Sequence, residues 1–281
     1  MASPRLRAHA LAALCAGLAL SFPSLARADC AGTPGACAID SGEYHIRLPE
    51  DPQGAPVVIF LHGYGGRGSA TMTNDRLVEP LIARGYAVIA PEGLKRGADG
   101  PQSWAFMPGR GGRDETAFLT AVSEDAANRF GVDTEMVILS GFSAGGFMVS
   151  YLACAAPDTF TAYAPVAGGF WRPHPESCEG PVRLFHTHGW TDTTVPLEGR
   201  FLGGGAYQQG DIMAGMEIWR HANVCADEKP TGFATTGQFM RRRWLDCAAG
   251  SALEFALFPG GHTVPEGWAD MMLDWFEDVT G

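Results

Sequence analysis

Three side chains spaced along this chain have the types and the order needed to activate a hydroxyl as a nucleophile. The first is Ser143, in the turn Gly141-Phe142-Ser143-Ala144-Gly145, which follows the apolar run 136–139 and precedes the small-residue stretch 144–154. A serine at a strand–turn–helix corner is pushed outward on a strained backbone that glycine neighbours accommodate. A hydroxyl attacks a carbonyl only when a base takes its proton and an acid orients that base. Asp192 lies in the loop behind the apolar run 182–186, and His262 follows Pro259-Gly260-Gly261 behind the run 253–258. Serine, then acid, then histidine is the order such an elbow requires. Ser143 is therefore the expected nucleophile, Asp192 the acid and His262 the base.

The developing oxyanion needs two preorganised donors. One is the backbone N–H of Ala144, directly after the nucleophile. The other is expected from the glycine-rich loop His62-Gly63-Tyr64-Gly65-Gly66, as the N–H of Tyr64, with Gly65 as the alternative. His62 and His188 each precede a glycine at a strand end, where bonding to backbone is the simpler role. Asp114 and Glu115 head a helix, and capping accounts for them.

The elements that must position these groups alternate. Strands are predicted at 43–48, 56–61, 86–90, 136–139, 163–166, 182–186 and 253–258. Helices are predicted at 77–84, from Asp114 to about Phe130, at 144–154, at 210–222 and from Pro265 onward. Continuous apolar strands between amphipathic helices imply an α/β class with a mostly parallel sheet covered on both faces. Ligands bind such sheets at the strands' carboxyl ends, where every residue above is expected.

Composition narrows the function classes. Residues 1–28 read as an export leader: Arg5 and Arg7, an apolar stretch over 11–20, and Ala26-Arg27-Ala28 as cleavage site. Residues 29–281 then form a single domain in the periplasm or outside the cell. Removing the leader, with three arginines and no acid, takes the formal charge from −11 to about −14. That charge disfavours nucleic acid and anionic membrane, and favours an uncharged small or oligomeric ester for a monomeric protein. Cys15 falls inside the leader. The six others suit an oxidising compartment, with Cys30–Cys37, Cys154–Cys178 and Cys225–Cys247 as nearest-neighbour pairs among fifteen connectivities. No metal spacing and no cofactor motif is read in the sequence.

From about Glu43 onward the chain resembles the secreted poly(3-hydroxybutyrate) depolymerase and feruloyl esterase group of α/β-hydrolases. The carriers are Leu61-His62-Gly63-Tyr64-Gly65, the stretch 114–119, Gly141 to Gly146, Ala164 to Gly168, His188-Gly189-Trp190-Thr191-Asp192, Trp219 with Asn223 and Cys225, and Gly260 to Pro265. The resemblance implies an α/β-hydrolase fold and the same roles for Ser143, Asp192 and His262. Relatives commonly carry Asn where this chain has Ala144, and Trp where it has Val264, which changes the rim of the acyl pocket. Hydrolysis of short 3-hydroxybutyrate esters or oligomers through an acyl-enzyme is the first expectation. Removal of feruloyl or acetyl groups from carbohydrate is the alternative, and a non-catalytic binding protein is the alternative of another class. Trp104, Phe106, Trp171 and Trp190, all on loops, are candidates for the substrate rim.

Overall fold

The computed structural model describes Met1, residues 29–107 and residues 109–281, so residues 2–28 of the expected leader, Cys15 among them, lie outside the described residues. Short strands β1 (Asp29–Cys30), β2 (Thr33–Pro34) and β3 (Cys37–Ile39) lead into β4 (Gly42–Arg47). Next come β5 (Val57–Leu61) and β6 (Ala87–Pro91), then a small hairpin of β7 (Leu94–Lys95) and β8 (Gln102–Ser103). Strands β9 (Val137–Phe142), β10 (Ala162–Val166) and β11 (Arg183–Gly189) follow. A second small hairpin, β12 (Phe201–Leu202) with β13 (Tyr207–Gln208), precedes β14 (Gly232–Thr236), β15 (Phe239–Trp244) and β16 (Ala252–Phe258). The helices are α1 (Gly68–Met72), α2 (Asp75–Ala83), α3 (Glu115–Phe130), α4 (Ala144–Ala155), α5 (Ile212–Ala222) and α6 (Trp268–Thr280).

The large sheet runs β14-β15-β16-β11-β10-β9-β5-β6-β4-β1-β2, with β3 on β4. Its centre, from β16 to β6, is parallel. Antiparallel pairs close both sides, β4 on β6 and β15 on β16. The central strands are apolar at every position because both faces are covered. Val57, Ile59 and Leu61 of β5 join the core beneath α3, α4 and α5, whereas Val58 and Phe60 join the core beneath α1, α2 and α6. The period-two alternation of a strand thus feeds two cores at once. The expected stripe of α6 holds: Trp268, Met271, Met272, Trp275 and Phe276 are all buried.

The hairpin β14–β15 is absent from the sequence expectation. Its strand β15 carries Arg241-Arg242-Arg243, which reads as a solvated stretch. The charge is explained by Glu254 of β16, almost wholly buried, which Arg241 engages through Nε and Arg243 approaches at 3.6 Å.

All three nearest-neighbour disulfides are formed: Cys30–Cys37, Cys154–Cys178 and Cys225–Cys247. The second ties the end of α4, the helix behind Ser143, to the loop after β10.

Asp114 caps α3 as expected, accepting from the N–H of Ala117 at 3.0 Å. Glu115 requires a correction, since capping does not account for it. Its carboxylate is buried, takes two hydrogen bonds from Arg113 at 2.8 and 3.0 Å, and accepts the N–H of Ala105 at 3.0 Å. Arg113 in turn lies 3.4 Å above the Phe118 ring. Glu115 therefore fastens the long loop between β6 and α3 to the domain. Glu115→Ala leaves the largely buried Arg113 guanidinium without its carboxylate and is expected to cost about 3 kcal/mol. Urea unfolding measures this, and a loss below about 1 kcal/mol would contradict the role.

Candidate active site

Ser143 stands between β9 and α4 with φ 57° and ψ −114°, a left-handed torsion that is costly for any residue but glycine. The strain falls on the serine itself. Its glycine neighbours serve a different need from the torsional one expected, because neither has a positive φ. A Cβ on Gly145 would lie 2.1 Å from the carbonyl oxygen of Leu61, so glycine lets α4 start directly against β5. The N–H of Ser143 bonds to the carbonyl of Val166 at 2.9 Å, fixing the corner to β10.

His262 and Asp192 meet this serine. His262 Nε2 lies 2.9 Å from Ser143 Oγ, and His262 Nδ1 lies 2.7 Å from Asp192 Oδ2. A carboxylate only accepts, so Nδ1 carries the proton and Nε2 is left free to take the serine's. Asp192 is buried, and its other oxygen accepts the N–H groups of Thr194 and Val195, each at 2.8 Å. The two loops are stitched together by Trp190 N–H to the Phe258 carbonyl and Thr191 N–H to the Gly260 carbonyl. Gly189 permits this, since a Cβ there would sit 2.3 Å from the Gly261 oxygen.

The two backbone groups expected as oxyanion donors share one cavity. Tyr64 and Ala144 line the same cavity as Ser143, and among the described residues neither N–H is donated elsewhere. Gly65 is eliminated as the alternative because its N–H bonds to the Gln102 carbonyl at 2.8 Å. His62 holds this loop in shape. Its Nδ1 donates to the Gly63 carbonyl at 2.8 Å, and its Nε2 accepts from the Gly93 N–H at 3.0 Å. Burial keeps the ring neutral, lowering its pKa.

A second buried layer lies behind Asp192. His188 Nε2 donates to the Val195 carbonyl at 2.8 Å, so its Nδ1 is bare and accepts from His186 Nε2 at 3.1 Å. Both rings are buried, and burial lowers both pKa values, for His186 well below the ordinary value. The pair braces the turn that carries the carboxylate, in keeping with the backbone-bonding role expected for His188.

The four rim aromatics separate. Phe106 and Trp171 line the cavity beside Ser143, a space of about 350 Å³. Trp104 does not. It is buried behind the oxyanion loop, donating from Nε1 to the His62 carbonyl at 2.8 Å. Trp190 is 62% exposed and lies outside the cavity wall. Sequence reasoning missed Phe147, Met107 and Tyr207, which complete the apolar wall. Phe147 was open to discovery, one helical turn beyond Ser143, whereas the others sit on loops without a pattern.

The comparisons with known proteins agree with this fold. The model of the prolyl oligopeptidase family matches residues 74–170, a span that holds Ser143 but neither Asp192 nor His262. A probable feruloyl esterase C of Aspergillus niger is 28% identical over 216 residues, 69% of this chain and 74% of that protein. The feruloyl esterase C of Emericella nidulans is 31% identical over 179 residues, 59% of this chain and 61% of that protein. An acetyl xylan esterase structure from Aspergillus awamori superposes with a TM-score of 0.60 at 16% identity, over 84% of this chain and 93% of that one. The chain has the α/β-hydrolase fold, and its sequence is similar to esterases.

The neutral buried histidines make a prediction about acid. The unfolded chain takes up protons near the ordinary histidine pKa of about 6.5, whereas folded His62, His186 and His188 resist them. Their contribution is complete above that pH and is lost as pH falls, by up to about 1.4 kcal/mol per pH unit for each ring. Calorimetric Tm is expected to drop between pH 7 and 5, with a shallower slope in His186→Gln. Equal slopes for the two proteins would contradict it.

Proposed function

We propose that the protein hydrolyses carboxylic esters through an acyl-enzyme, and that its substrates are feruloyl or acetyl esters of carbohydrate alcohols. The observation that carries the reaction is the unbroken hydrogen-bonded line from Ser143 Oγ through His262 to Asp192, opening into one cavity with the oxyanion donors. Ser143 Oγ attacks the carbonyl carbon while its proton passes to His262 Nε2. The oxyanion that forms is held by the N–H groups of Tyr64 and Ala144. His262 then gives its proton to the departing alkoxide, leaving the acyl group on Ser143. A water molecule repeats the sequence: His262 takes its proton, the hydroxyl oxygen bonds to the acyl carbon, and the acid leaves as Ser143 regains its proton. Asp192 stays ionised throughout and steadies the imidazolium.

The substrate class is supported by the relatives named feruloyl esterase and by the aromatic wall of Phe106, Phe147 and Trp171, a surface suited to a planar phenolic ring. That support favours the carbohydrate esters, the second expectation from sequence, over the 3-hydroxybutyrate oligomers expected first. The disulfides fit export to an oxidising compartment.

Ser143→Ala is expected to lower kcat at least about 10³-fold on methyl ferulate and p-nitrophenyl acetate, and Asp192→Asn by about 10⁴-fold. A Ser143→Ala protein as active as the parent would end the acyl-enzyme account. Hydroxybutyrate oligomers, assayed in parallel, test the substrate class. Faster turnover of those oligomers than of ferulate would reverse the choice between the two.

A further inference from the structure

The cavity at Ser143 has a charge that the chain as a whole does not. The protein carries a formal net charge of −11, yet among the described residues Arg96, Arg110 and Arg200 line this cavity and no Asp or Glu does. An adjoining space of about 330 Å³ shares Arg96 and Arg110, adds Lys95, and again has no acidic lining residue. Among the described residues the arginines that pair with carboxylates are others: Arg47, Arg84, Arg113, Arg129, Arg220, Arg241 and Arg243. The three cleft guanidiniums are held by neutral groups instead. Arg110 stacks 4.5 Å from the Tyr207 ring centroid and donates to its hydroxyl at 3.3 Å, and Arg200 Nε donates to Gln209 at 3.3 Å. Arg96 lies 5.8 Å from the Tyr64 ring. Such contacts orient a guanidinium without neutralising it and leave N–H edges for an acceptor.

A second, independent observation points the same way. Ser103 lines both spaces and is 3% exposed, and its hydroxyl has no hydrogen-bond partner among the described residues. The indole N–H of Trp171, in the same wall, is buried and also unpartnered. An indole nitrogen only donates, and a hydroxyl is left with a proton to give, so both call for an acceptor.

We propose that the preferred ester carries a carboxylate within reach of the scissile carbonyl, bound by Arg96, Arg110 and Arg200. This deepens the ester-hydrolase reading and rests on it. The guanidinium fork matches a carboxylate's two oxygens. The cluster also acts locally, because beyond about 8–10 Å the protein's net negative charge is screened at ordinary ionic strength. The carboxylate can belong to the acyl part, as in a dicarboxylic acid monoester, or to the alcohol part, as in a hydroxycinnamoyl ester of an acidic polyol or sugar acid.

Two matched pairs test the proposal on the whole protein. Mono-p-nitrophenyl adipate against p-nitrophenyl hexanoate places the charge on the acyl side. Caffeoyl quinate against its carboxamide places it on the alcohol side. In at least one pair, kcat/KM for the anion is expected to exceed that for the neutral partner about tenfold or more, chiefly through KM. The ratio should fall several-fold in 0.5 M NaCl and fall towards one in Arg96→Gln, Arg110→Gln and Arg200→Gln, while Arg110→Lys retains more of it than Arg110→Gln. The pair that shows the preference identifies the side that bears the charge. Ratios at or below one in both pairs, with the neutral esters turned over, would overturn the carboxylate and leave ester hydrolysis standing. No hydrolysis of any of the four, together with no labelling by a fluorophosphonate, would overturn both.

Discussion

Everything at this site depends on one backbone constraint, the left-handed torsion at Ser143. With φ at 57°, the serine projects from the carboxyl edge of the sheet while α4 departs immediately behind it. The torsion is unfavourable by about 1–3 kcal/mol and persists because its surroundings over-determine it. Leu61 of β5 presses against Gly145, Val166 of β10 holds the Ser143 N–H, and Cys154–Cys178 secures the far end of the helix. The same corner leaves the N–H of Ala144, the first residue of α4, undonated beside the nucleophile. The strain, the projection of the hydroxyl and the free N–H beside it thus have a common origin.

Asp192 and His262 are positioned by burial working with hydrogen bonds. Asp192 is buried yet receives three donors: two backbone N–H groups and the His262 ring. A carboxylate so satisfied remains an acceptor and holds the histidine in a single tautomer. Behind it, His186 and His188 fill the interior as neutral rings whose every exchanged proton has a defined direction. Glu115 with Arg113 does the equivalent for the loop that supplies Phe106 and two of the cleft arginines.

Much of the fold was legible because its centre obeys simple periodicities. The strands 56–61 and 136–139 are apolar throughout, as strands buried on both faces must be, and Asp114 marks the start of α3 where it is observed. The meeting of Ser143, Asp192 and His262 was readable because a strand end followed by a glycine-containing loop is a local pattern. What escaped were features fixed by distant partners. The strand β15 hides behind three arginines whose meaning lies in Glu254. Glu115 has the position of a helix-start acid and the burial of an ion pair. Trp104 and Trp190 share a loop setting with Phe106, yet only the packed fold separates a buttress and an exposed ring from a cavity wall. Arg96, Arg110 and Arg200 form no sequence motif, and net charge pointed the opposite way.

The central claim is that Ser143, activated through His262, bears the acyl group. Its most direct test is to treat the protein with a fluorophosphonate and locate the adduct by peptide mass spectrometry, in the parent and in His262→Ala. The account predicts a single phosphonyl group on the peptide carrying Ser143, and labelling slowed at least about 10³-fold without the histidine. An adduct on another residue, or equally fast labelling of both proteins, would contradict it.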